Sequence, residues 1–296
     1  MTTPTSILSG VPEMIDAWCG LTDATRYGET GEPRYVSKQA AIDLSGHGKP
    51  LGASPDAPDA TDLFKQILEQ IKKNHAAGGG AEPSAMVWKL RKALTLNAEN
   101  PSSEVILERL VVQLLGDHWS NQLVTASGMM PGADTHRNID LVHDRGDGAF
   151  EFIELKYGTA EQGFGSNHPL FAAWEIVLYG LLYTYARLHL GGDDSKPLLK
   201  AKKVHLVVLA PEGYYRYSQR GGPAAPFELG WLGQAINKGL ASLRLGDGAT
   251  MEFAFQKFTE EFAAIYDEPK SLPVGAQAFR KADLGDRTNV YGDPRP

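Results

Sequence analysis

The sequence predicts an α/β protein, because runs with strand character alternate with segments whose apolar residues recur at helical spacing. Residues 204–210 are apolar except for His205, as is typical of a strand that is covered on both faces. Residues 138–142 and 150–157 are two further apolar runs, and the polar, Gly-containing turn between them predicts a β-hairpin. Residues 61–75 carry apolar side chains at helical spacing, and the more apolar residues 170–190 predict a long buried helix.

The predicted elements fall into three parts along the chain. Residues 1–99 form a loop-rich, mostly helical extension, with helices predicted at residues 11–21, 61–75 and 84–96 and at most one helical turn near residues 37–44. Residues 100–267 form the core, with helices predicted at 100–115, 170–190, 229–243 and 259–266 and strands at 121–130, 138–142, 150–157, 204–210 and 251–258. Residues 268–296 form a polar tail with four Pro, which we expect to wrap the surface or to be disordered.

Start and stop signals support the longer helices. Asp62 near the start of the 61–75 helix and Lys72 near its end both complement the helix dipole. Pro101 is near the first helical position of the 100–115 helix, which stops at Gly116. Pro169 opens the long helix in the same way. These signals place the helix boundaries that flank the predicted strands.

Composition limits the class of protein. The chain has 296 residues, of which 42% are hydrophobic and 22% charged, which is ordinary for a globular protein. A formal charge of −7 gives no overall basic field for nucleic acid, although a local basic groove is compatible with it. Cys19 is the single cysteine, which excludes disulfide scaffolds and Cys-rich zinc sites and favours a reducing, cytoplasmic location. Residues 1–10 lack the features of a signal peptide, and Glu175 and Arg187 argue against a membrane span, so we expect no membrane association.

The predicted hairpin carries ionisable residues in otherwise apolar strands. Glu154 and Lys156 are two apart, so they share one face of their strand. A loop centred on Asp147 sets Asp140 opposite Glu154, whereas a loop centred between Asp147 and Gly148 slips the register by one and the faces disagree. We expect an odd-numbered loop or a bulge, because that register brings two carboxylates and an ammonium into one pocket.

Two buried carboxylates repel each other unless a cation lies between them. Carboxylate oxygens from Asp140 and Glu154, completed by water, are the ligands that Mg²⁺ or Mn²⁺ prefers. Lys156 beside such an ion could stabilise the charge that develops when water attacks a phosphodiester. The pattern therefore predicts a divalent-metal site.

These residues resemble a known family. Asp140, thirteen intervening residues and then Glu154-Leu155-Lys156 are similar to the D…ExK signature of the PD-(D/E)xK nuclease superfamily, with Ile139 in the place of the usual Pro. The resemblance implies a restriction-endonuclease-like αβββαβ core within residues 100–267, with a central mixed sheet flanked by helices. It also implies a Mg²⁺- or Mn²⁺-dependent phosphodiesterase in which Asp140 and Glu154 hold the metal and Lys156 activates or positions the attacking water.

The helix before the sheet offers a further acid. Glu104 and Glu108 share the apolar face of the 100–115 helix. The resemblance implies that this helix supplies an acidic residue to the metal pocket, and either Glu fits that role. Glu108 is preferred, because Glu104 lies in the first turn, where an acid complements the helix dipole. Glu108 would bind a second metal ion or orient metal-bound water.

The long helix offers two accessory candidates. Glu175 and Tyr179 are four apart and face the same way. Some branches of the superfamily carry a Gln and a Tyr at this spacing after the ExK strand, and the present pair is similar to them. The alternative is that the tyrosines pack in the core with their hydroxyl groups hydrogen-bonded.

Several cations are candidates for contact with nucleic acid. They lie on the predicted 84–96 helix, before the Asp140 strand and after the 204–210 strand, at Lys89, Arg91, Lys92, His136, Arg137, Arg216 and Arg220. Arginine binds phosphates, and the tyrosines near Arg216 could stack on unpaired bases. The alternatives are a solvated helix face, an exposed hairpin tip and an ordinary loop packed by its own tyrosines.

The function predicted from the sequence is a metal-dependent nuclease that acts on DNA in defence, restriction or repair, as a monomer or as a homodimer. A second hypothesis is a catalytically silent protein of this fold that serves as a nucleic-acid-binding or assembly subunit. A third is that the charges form a structural salt bridge in an α/β protein of unrelated activity. Metal titration and a cleavage assay separate the three.

Overall fold

The computed structural model describes residues 4–23, 31–47, 51, 59–95, 103–130, 132–156, 158–159, 163–164, 167–190, 196–218, 223–258 and 287–291. The helices are α1 (Val11–Trp18), α2 (Lys38–His47), α3 (Thr61–Ala77), α4 (Ser103–Leu115), α5 (Pro169–His189) and α6 (Gly230–Ser242). The main strands are β1 (Trp119–Val124), β2 (Asn138–Gly146), β3 (Ala149–Leu155), β6 (Lys203–Ala210) and β9 (Thr250–Lys257). Short strands are β4 (Gly158–Thr159), β5 (Gly163–Phe164), β7 (Arg216–Ser218), β8 (Ala224–Pro226) and β10 (Thr288–Asn289).

The predicted α/β class is confirmed by a six-stranded mixed sheet with the strand order β1-β2-β3-β6-β9-β10. Strands β1, β2 and β3 are antiparallel, β3, β6 and β9 are parallel, and β10 is antiparallel to β9. Helix α5 is the crossover between β3 and β6, as a parallel pair requires. Strand β6 is nearly continuously apolar because it has parallel neighbours on both sides and is buried on both faces.

Each face of the sheet is covered by a helix. On one face α5 packs against the sheet through a large apolar cluster that also contains residues of α1, α2, α3 and α6. On the other face α4 packs Leu107 and Val111 against Leu141, Ile153 and Val207. The N-terminal helices therefore bury their apolar sides in the same core as the sheet. Within the described ranges, no helix is long and apolar enough to cross a membrane.

The β2–β3 hairpin contains the predicted bulge. Asp147 and Gly148 form the turn with φ of 53° and 77°, left-handed values that a two-residue hairpin turn requires. Gly146 pairs with Ala149, and the register then shifts by one between Asp144 and Gly146. Beyond the shift Leu141 faces Ile153, so the next step of the ladder sets Asp140 opposite Glu154.

Three element predictions are wrong. In place of the single helical turn predicted near residues 37–44, the chain forms the ten-residue helix α2 (Lys38–His47). The residues predicted as the 84–96 helix form a turn and extended chain over their described part. The reason is tertiary: Trp88 is buried and its backbone N–H donates to the Val124 carbonyl, while Ala93 is held by the Asn121 side chain. The strand predicted at 121–130 ends at Val124, because residues 125–130 turn back through a single bridge between Ser127 and Met130.

Most of the C-terminal predictions lie outside the described residues. These are the 259–266 helix and most of the 268–296 tail. The described part of the tail forms β10, whose Thr288 and Asn289 pair with Lys257 and Gln256 of β9. A tail strand in the central sheet was not predicted.

Candidate active site

The predicted hairpin residues come together at the end of β3. Lys156, directly after β3, places its Nζ 2.5 Å from Oε1 of Glu154 and 3.3 Å from Oε2 of Glu175 on α5. The backbone of this strand end is fixed on both sides. The Leu155 N–H donates to Oδ2 of Asp140 over 2.9 Å, and the Lys156 N–H donates to the Leu209 carbonyl over 2.9 Å. Strands β2 and β6 therefore hold the ionisable side chains of β3 in place.

Helix α5 positions Glu175 through a capped N-terminus. Pro169 occupies the first helical turn, and Nδ1 of His168 accepts the Phe171 N–H at 3.3 Å. Burial lowers the pKa of His168 to about 4, so the ring is neutral near pH 7 and can accept that hydrogen bond. Glu175 then lies two turns into the helix, facing Lys156.

The electrostatics of the cluster favour protons or cations. Burial, together with the carboxylates of Asp140 and Glu175, raises the pKa of Glu154 well above its ordinary value. Burial also raises the pKa of Asp140 to about 6, although the Lys156 ammonium acts in the opposite direction. Burial alone would lower the pKa of Lys156, but the surrounding carboxylates outweigh burial and raise it. These carboxyl groups therefore resist carrying full negative charge together.

The cluster formed by Asp140, Glu154, Glu175 and Lys156 lacks positive charge and a hydrogen-bond partner for one of its oxygens. When Asp140, Glu154 and Glu175 are all ionised, Lys156 compensates one of their three charges and leaves two. Oε2 of Glu154 is buried and has no hydrogen-bond partner within the described part of the chain. A buried carboxylate oxygen without a partner is costly unless a cation or a donor reaches it.

The described carboxylates are not arranged in advance as a metal-chelating group. No three His, Cys, Asp or Glu side chains among the described residues converge in a geometry that holds an ion. The donor set nevertheless suits a hard divalent cation, because the next step of the β2–β3 ladder sets Asp140 opposite Glu154 and water can complete the coordination. The charge of such a cation would match the two charges that Lys156 leaves uncompensated.

Glu108 lies buried on α4 beside this cluster. Its carboxyl oxygens accept from Nδ2 of Asn121 at 2.6 Å and from Nε2 of Gln122 at 2.5 Å. Burial, followed by the charge of Asp140, raises the pKa of Glu108 to about 8. The charge of Glu104, one turn earlier, also raises the pKa of Asp140, so both helix acids lie on the side of α4 that faces the site.

Two tyrosines complete the surroundings. Tyr179, one turn after Glu175 on α5, is buried, and its pKa is raised by burial and then by the charges of Glu154 and Glu175. Tyr214 lies in a 3-10 helix, Glu212–Tyr215, directly after β6. Its hydroxyl oxygen is buried and, among the described residues, has no hydrogen-bond partner.

Tyr214 is one of the tyrosines near Arg216 for which base stacking and packing of their own loop were the two predictions, and its place beside the site was missed. Its interactions with Lys156, Glu154 and Glu175 contribute to the shifted pKa of the phenol, so the side chain lies near the cluster. The parallel pairing of β3 and β6 is the feature that could have predicted this position. Parallel strands end at the same edge of a sheet, so the residues that follow β6 come close to those that follow β3.

The predicted nucleic-acid contacts are scattered. Arg137 lines a cavity together with Glu175 and Tyr179, so it lies near the cluster. His136 and Lys89 are exposed. The other described cations have protein partners, which are the Gln122 carbonyl for Arg91, Asp117 for Lys92 and the Ala224 carbonyl for Arg216. Arg220 lies outside the described residues.

The basic strip predicted around Lys89, Arg91 and Lys92 is therefore not a helix face. Its residues lie on the turn and extended chain that run beside β1.

A scan against models of known protein families and searches of curated proteins and of solved structures found no match to this chain. The geometry of the site must therefore carry the assignment of function.

Proposed function

We propose that the chain is a Mg²⁺- or Mn²⁺-dependent nuclease with a restriction-endonuclease-like core. The order α4-β1-β2-β3-α5-β6 and the mixed sheet support the αβββαβ core. One observation carries the functional proposal. Oε2 of Glu154, without a partner in the described part of the chain, lies in a cluster that has two negative charges beyond the one that Lys156 compensates when Asp140, Glu154 and Glu175 are all ionised. A divalent cation satisfies both the oxygen and the charge.

Asp140 and Glu154 would hold the metal, with Glu108 placed to orient a water or to help hold a second ion. The bound metal would supply Lewis-acid stabilisation of the phosphate and a reactive water. Glu108 keeps its proton to about pH 8 because it is buried near Asp140, and it would release that proton when a cation offsets the charge. Asn121 and Gln122 fix the orientation of this carboxyl group.

Lys156 would act as a protonated residue. The carboxylates around it raise its pKa, so the ammonium keeps its charge near pH 7 and does not serve as a general base. Its contacts with Glu154 and Glu175 fix Nζ at the centre of the cluster. From there the ammonium would position the attacking water and stabilise negative charge developing on the scissile phosphate.

The first experiment is a cleavage assay on supercoiled, linear and single-stranded DNA and on RNA, with Mg²⁺, with Mn²⁺ and with EDTA. We expect metal-dependent cleavage that Glu154→Gln lowers at least about a hundredfold. Glu252→Gln on β9 is the matched control, since Glu252 is half-exposed and pairs with His205 and Lys203 outside the cluster. Full cleavage by Glu154→Gln, or none by the parent protein with either metal, contradicts the proposal.

A catalytically silent subunit that binds nucleic acid or another protein is the second candidate. The observation that favours it is the absence, among the described residues, of a preformed metal-chelating group. Such a protein would show neither cleavage nor stabilisation by Mg²⁺. A nuclease would gain about 2.7 kcal/mol of stability at a metal concentration one hundred times the Kd.

The cellular setting is part of the proposal. A role in defence, restriction or repair follows only from the resemblance to the nuclease superfamily. A cytoplasmic location agrees with Cys19, which is buried and has a free thiol. The proposed partner is DNA, and the oligomeric state is open.

A further inference from the structure

A cavity of about 450 Å³ adjoins the candidate active site. Glu175 and Tyr179 of α5 line it, and Glu175 also contacts Lys156 at 3.3 Å. The N-terminal segment lines it as well, through residues that include Ser6 and Ser9. The cavity is thus next to the candidate active site, and one of its walls is the N-terminal segment, which lies outside the predicted nuclease core.

The N-terminal wall of the cavity is firmly held. Nδ2 of Asn74 donates to the carbonyls of Ile7 and Ser9 over 2.9 and 2.8 Å. The carboxylate of Asp134 accepts from the Ser6 hydroxyl at 2.7 Å and from the Ile7 N–H at 2.8 Å. The side chain of Ile7 is fully buried in the core. These contacts join the start of the chain to α3 and to the loop before β2, so the cavity has a built wall.

The chemistry of the lining has two parts. Among the described lining residues Arg137 is the one cation, with Nε 2.5 Å from Asp134 and with a third of its side chain exposed. Tyr35 and Phe171 provide an aromatic wall, with nearly parallel rings whose centroids are 6.3 Å apart. Arginine suits a phosphate, and aromatic surfaces suit a nucleobase.

Two acids also line the cavity. Glu175 is paired with Lys156, so its charge is partly compensated. Glu13 is the other acid, and its carboxylate can accept from a donor group on a ligand. A ligand with one anionic end and a flat end that carries hydrogen-bond donors fits this combination better than a simple anion.

We infer that this cavity receives one unpaired nucleotide of the substrate strand, next to the scissile phosphate. The inference rests on the proposed function and names its substrate class, which is a strand with free bases such as single-stranded DNA or an unpaired end. Arg137 would contact the phosphate, and the base would lie against Tyr35 and Phe171. The volume is near the lower end of ordinary ligand pockets, about 300 to 1,000 Å³, and suits one nucleotide.

The energetic reason for the preference is the cost of unpairing. A nucleotide must leave its stack to enter a pocket of this kind, and that cost is least for a base that is already unpaired. A continuous duplex would bear the whole cost at each cleavage event. Stacking on aromatic side chains accepts any base, so little dependence on sequence is expected.

The experiment compares one sequence as single-stranded DNA, as blunt duplex and as duplex with an unpaired end. Thr5→Glu places a carboxylate at the exposed rim of the cavity, where it repels a phosphate and offers no ring to a base, and Leu188→Ala, exposed near the far end of α5, is the control. We expect single-stranded and unpaired-end substrates to be cut about ten times faster than blunt duplex. Thr5→Glu should remove that difference, and Leu188→Ala should keep it.

A binding arm separates failure of the inference from failure of the proposed function. Glu154→Gln is titrated with a labelled single strand and with the same duplex in EDTA. If the parent protein cuts nothing but the single strand binds preferentially and adding Thr5→Glu abolishes that preference, the inference stands and the nuclease assignment falls. If the duplex is cut or bound as well as the single strand, or if Thr5→Glu changes neither the cleavage preference nor the binding preference, the inference is overturned.

Discussion

Nζ of Lys156 lies 2.5 Å from Oε1 of Glu154, whereas Oε2 of the same buried carboxylate has no hydrogen-bond partner in the described part of the chain. The ion pair thus satisfies half of the carboxylate. The stability of this ion pair and the capacity of Glu154 to bind a ligand therefore depend on the same two side chains.

Removing the Lys156 ammonium should lower the free energy of unfolding. Lys156→Met leaves Glu154 buried without its cation, and we expect a loss of about 3 to 5 kcal/mol of unfolding free energy at pH 8. The loss should shrink at pH 5, because Glu154, whose pKa is already raised by burial, can take up a proton there. Urea unfolding at both pH values measures it.

The control for Lys156→Met is Lys203→Met, which breaks a half-exposed pair with Glu252 and should cost no more than about 1 kcal/mol. The double variant Glu154→Gln with Lys156→Met should recover much of the lost stability. Equal stability of Lys156→Met and the parent protein would show that Glu154 does not depend on the ammonium.

Acid should unfold the protein partly through Glu151, on the other face of β3. Burial would raise the pKa of this carboxylate, but hydrogen bonds from His143 and Arg287 outweigh it and lower the pKa to about 2. The pKa in the folded state lies below the ordinary 4.5, so this stability is complete above about pH 4.5. It is lost as the pH falls toward 2.

The shift corresponds to about 3 kcal/mol for this buried group. We expect Glu151→Gln to be less stable than the parent protein at pH 7 and to lose less stability between pH 4.5 and pH 2.5. Thermal unfolding across that range is the measurement. Parallel pH profiles for the two proteins would contradict the assignment of this acid sensitivity to Glu151.

Stabilisation by Mg²⁺ should increase with pH. The pKa values of Asp140 and Glu108 are raised to about 6 and about 8, chiefly by burial, so ionising these groups opposes folding when no metal is bound. Stability without metal should therefore fall as the pH rises from about 4.5 to 8. A metal ion competes with the protons, so its effect on Tm should be larger at pH 8 than at pH 5.5.

Titration of Mg²⁺ at both pH values, followed by thermal unfolding, tests this dependence. Glu154→Gln should abolish most of the metal effect, while Glu252→Gln should retain it. A metal-induced increase in Tm that is the same at both pH values, or that survives Glu154→Gln, would place the metal elsewhere.

Tyr214 should matter for activity more than for stability. Its buried hydroxyl has no partner among the described residues, so Tyr214→Phe removes an unsatisfied group and should be neutral or slightly stabilising. If the hydroxyl donates to the phosphate or the attacking water, cleavage should fall about tenfold. Tyr215→Phe is the matched control, because that hydroxyl bonds the carbonyls of Val208 and Gln256 and its loss should cost about 1 kcal/mol.

Full cleavage by Tyr214→Phe would remove this hydroxyl from the proposed reaction. Unfolding free energies of both variants, measured under the conditions of the cleavage assay, distinguish a chemical effect from a loss of folded protein.

The sequence could predict features that depend on the spacing of apolar and charged side chains within one segment. The side-chain alternation of β3 places Glu154 and Lys156 on one face, and the requirement that Asp140 join them predicts the bulge. Helical spacing predicts α3 and α5 nearly to their ends. These predictions hold because the side-chain spacing within each segment is enough to make them.

Features that depend on remote partners could not be predicted in this way. Residues 84–95 have a helical pattern, but Trp88 and Ala93 gain backbone and side-chain partners on β1, and these contacts override the local preference. The hydrogen bond from Ser6 to Asp134 joins residues 128 positions apart, and no sequence periodicity predicts it. Tyr214 reaches the cluster only because β6 lies beside β3.

The bulge between Asp144 and Gly146 gives the surface hairpin control over the buried cluster. With the same two-residue turn and no bulge, Asp140 would pair with Leu155 and lie on the opposite side of its strand from Glu154. A one-residue insertion in β2 between the bulge and Asp140 would have the same effect while leaving every charged group of the pocket in the chain. Insertions and deletions near this turn deserve the same scrutiny in variants as substitutions of Asp140 itself.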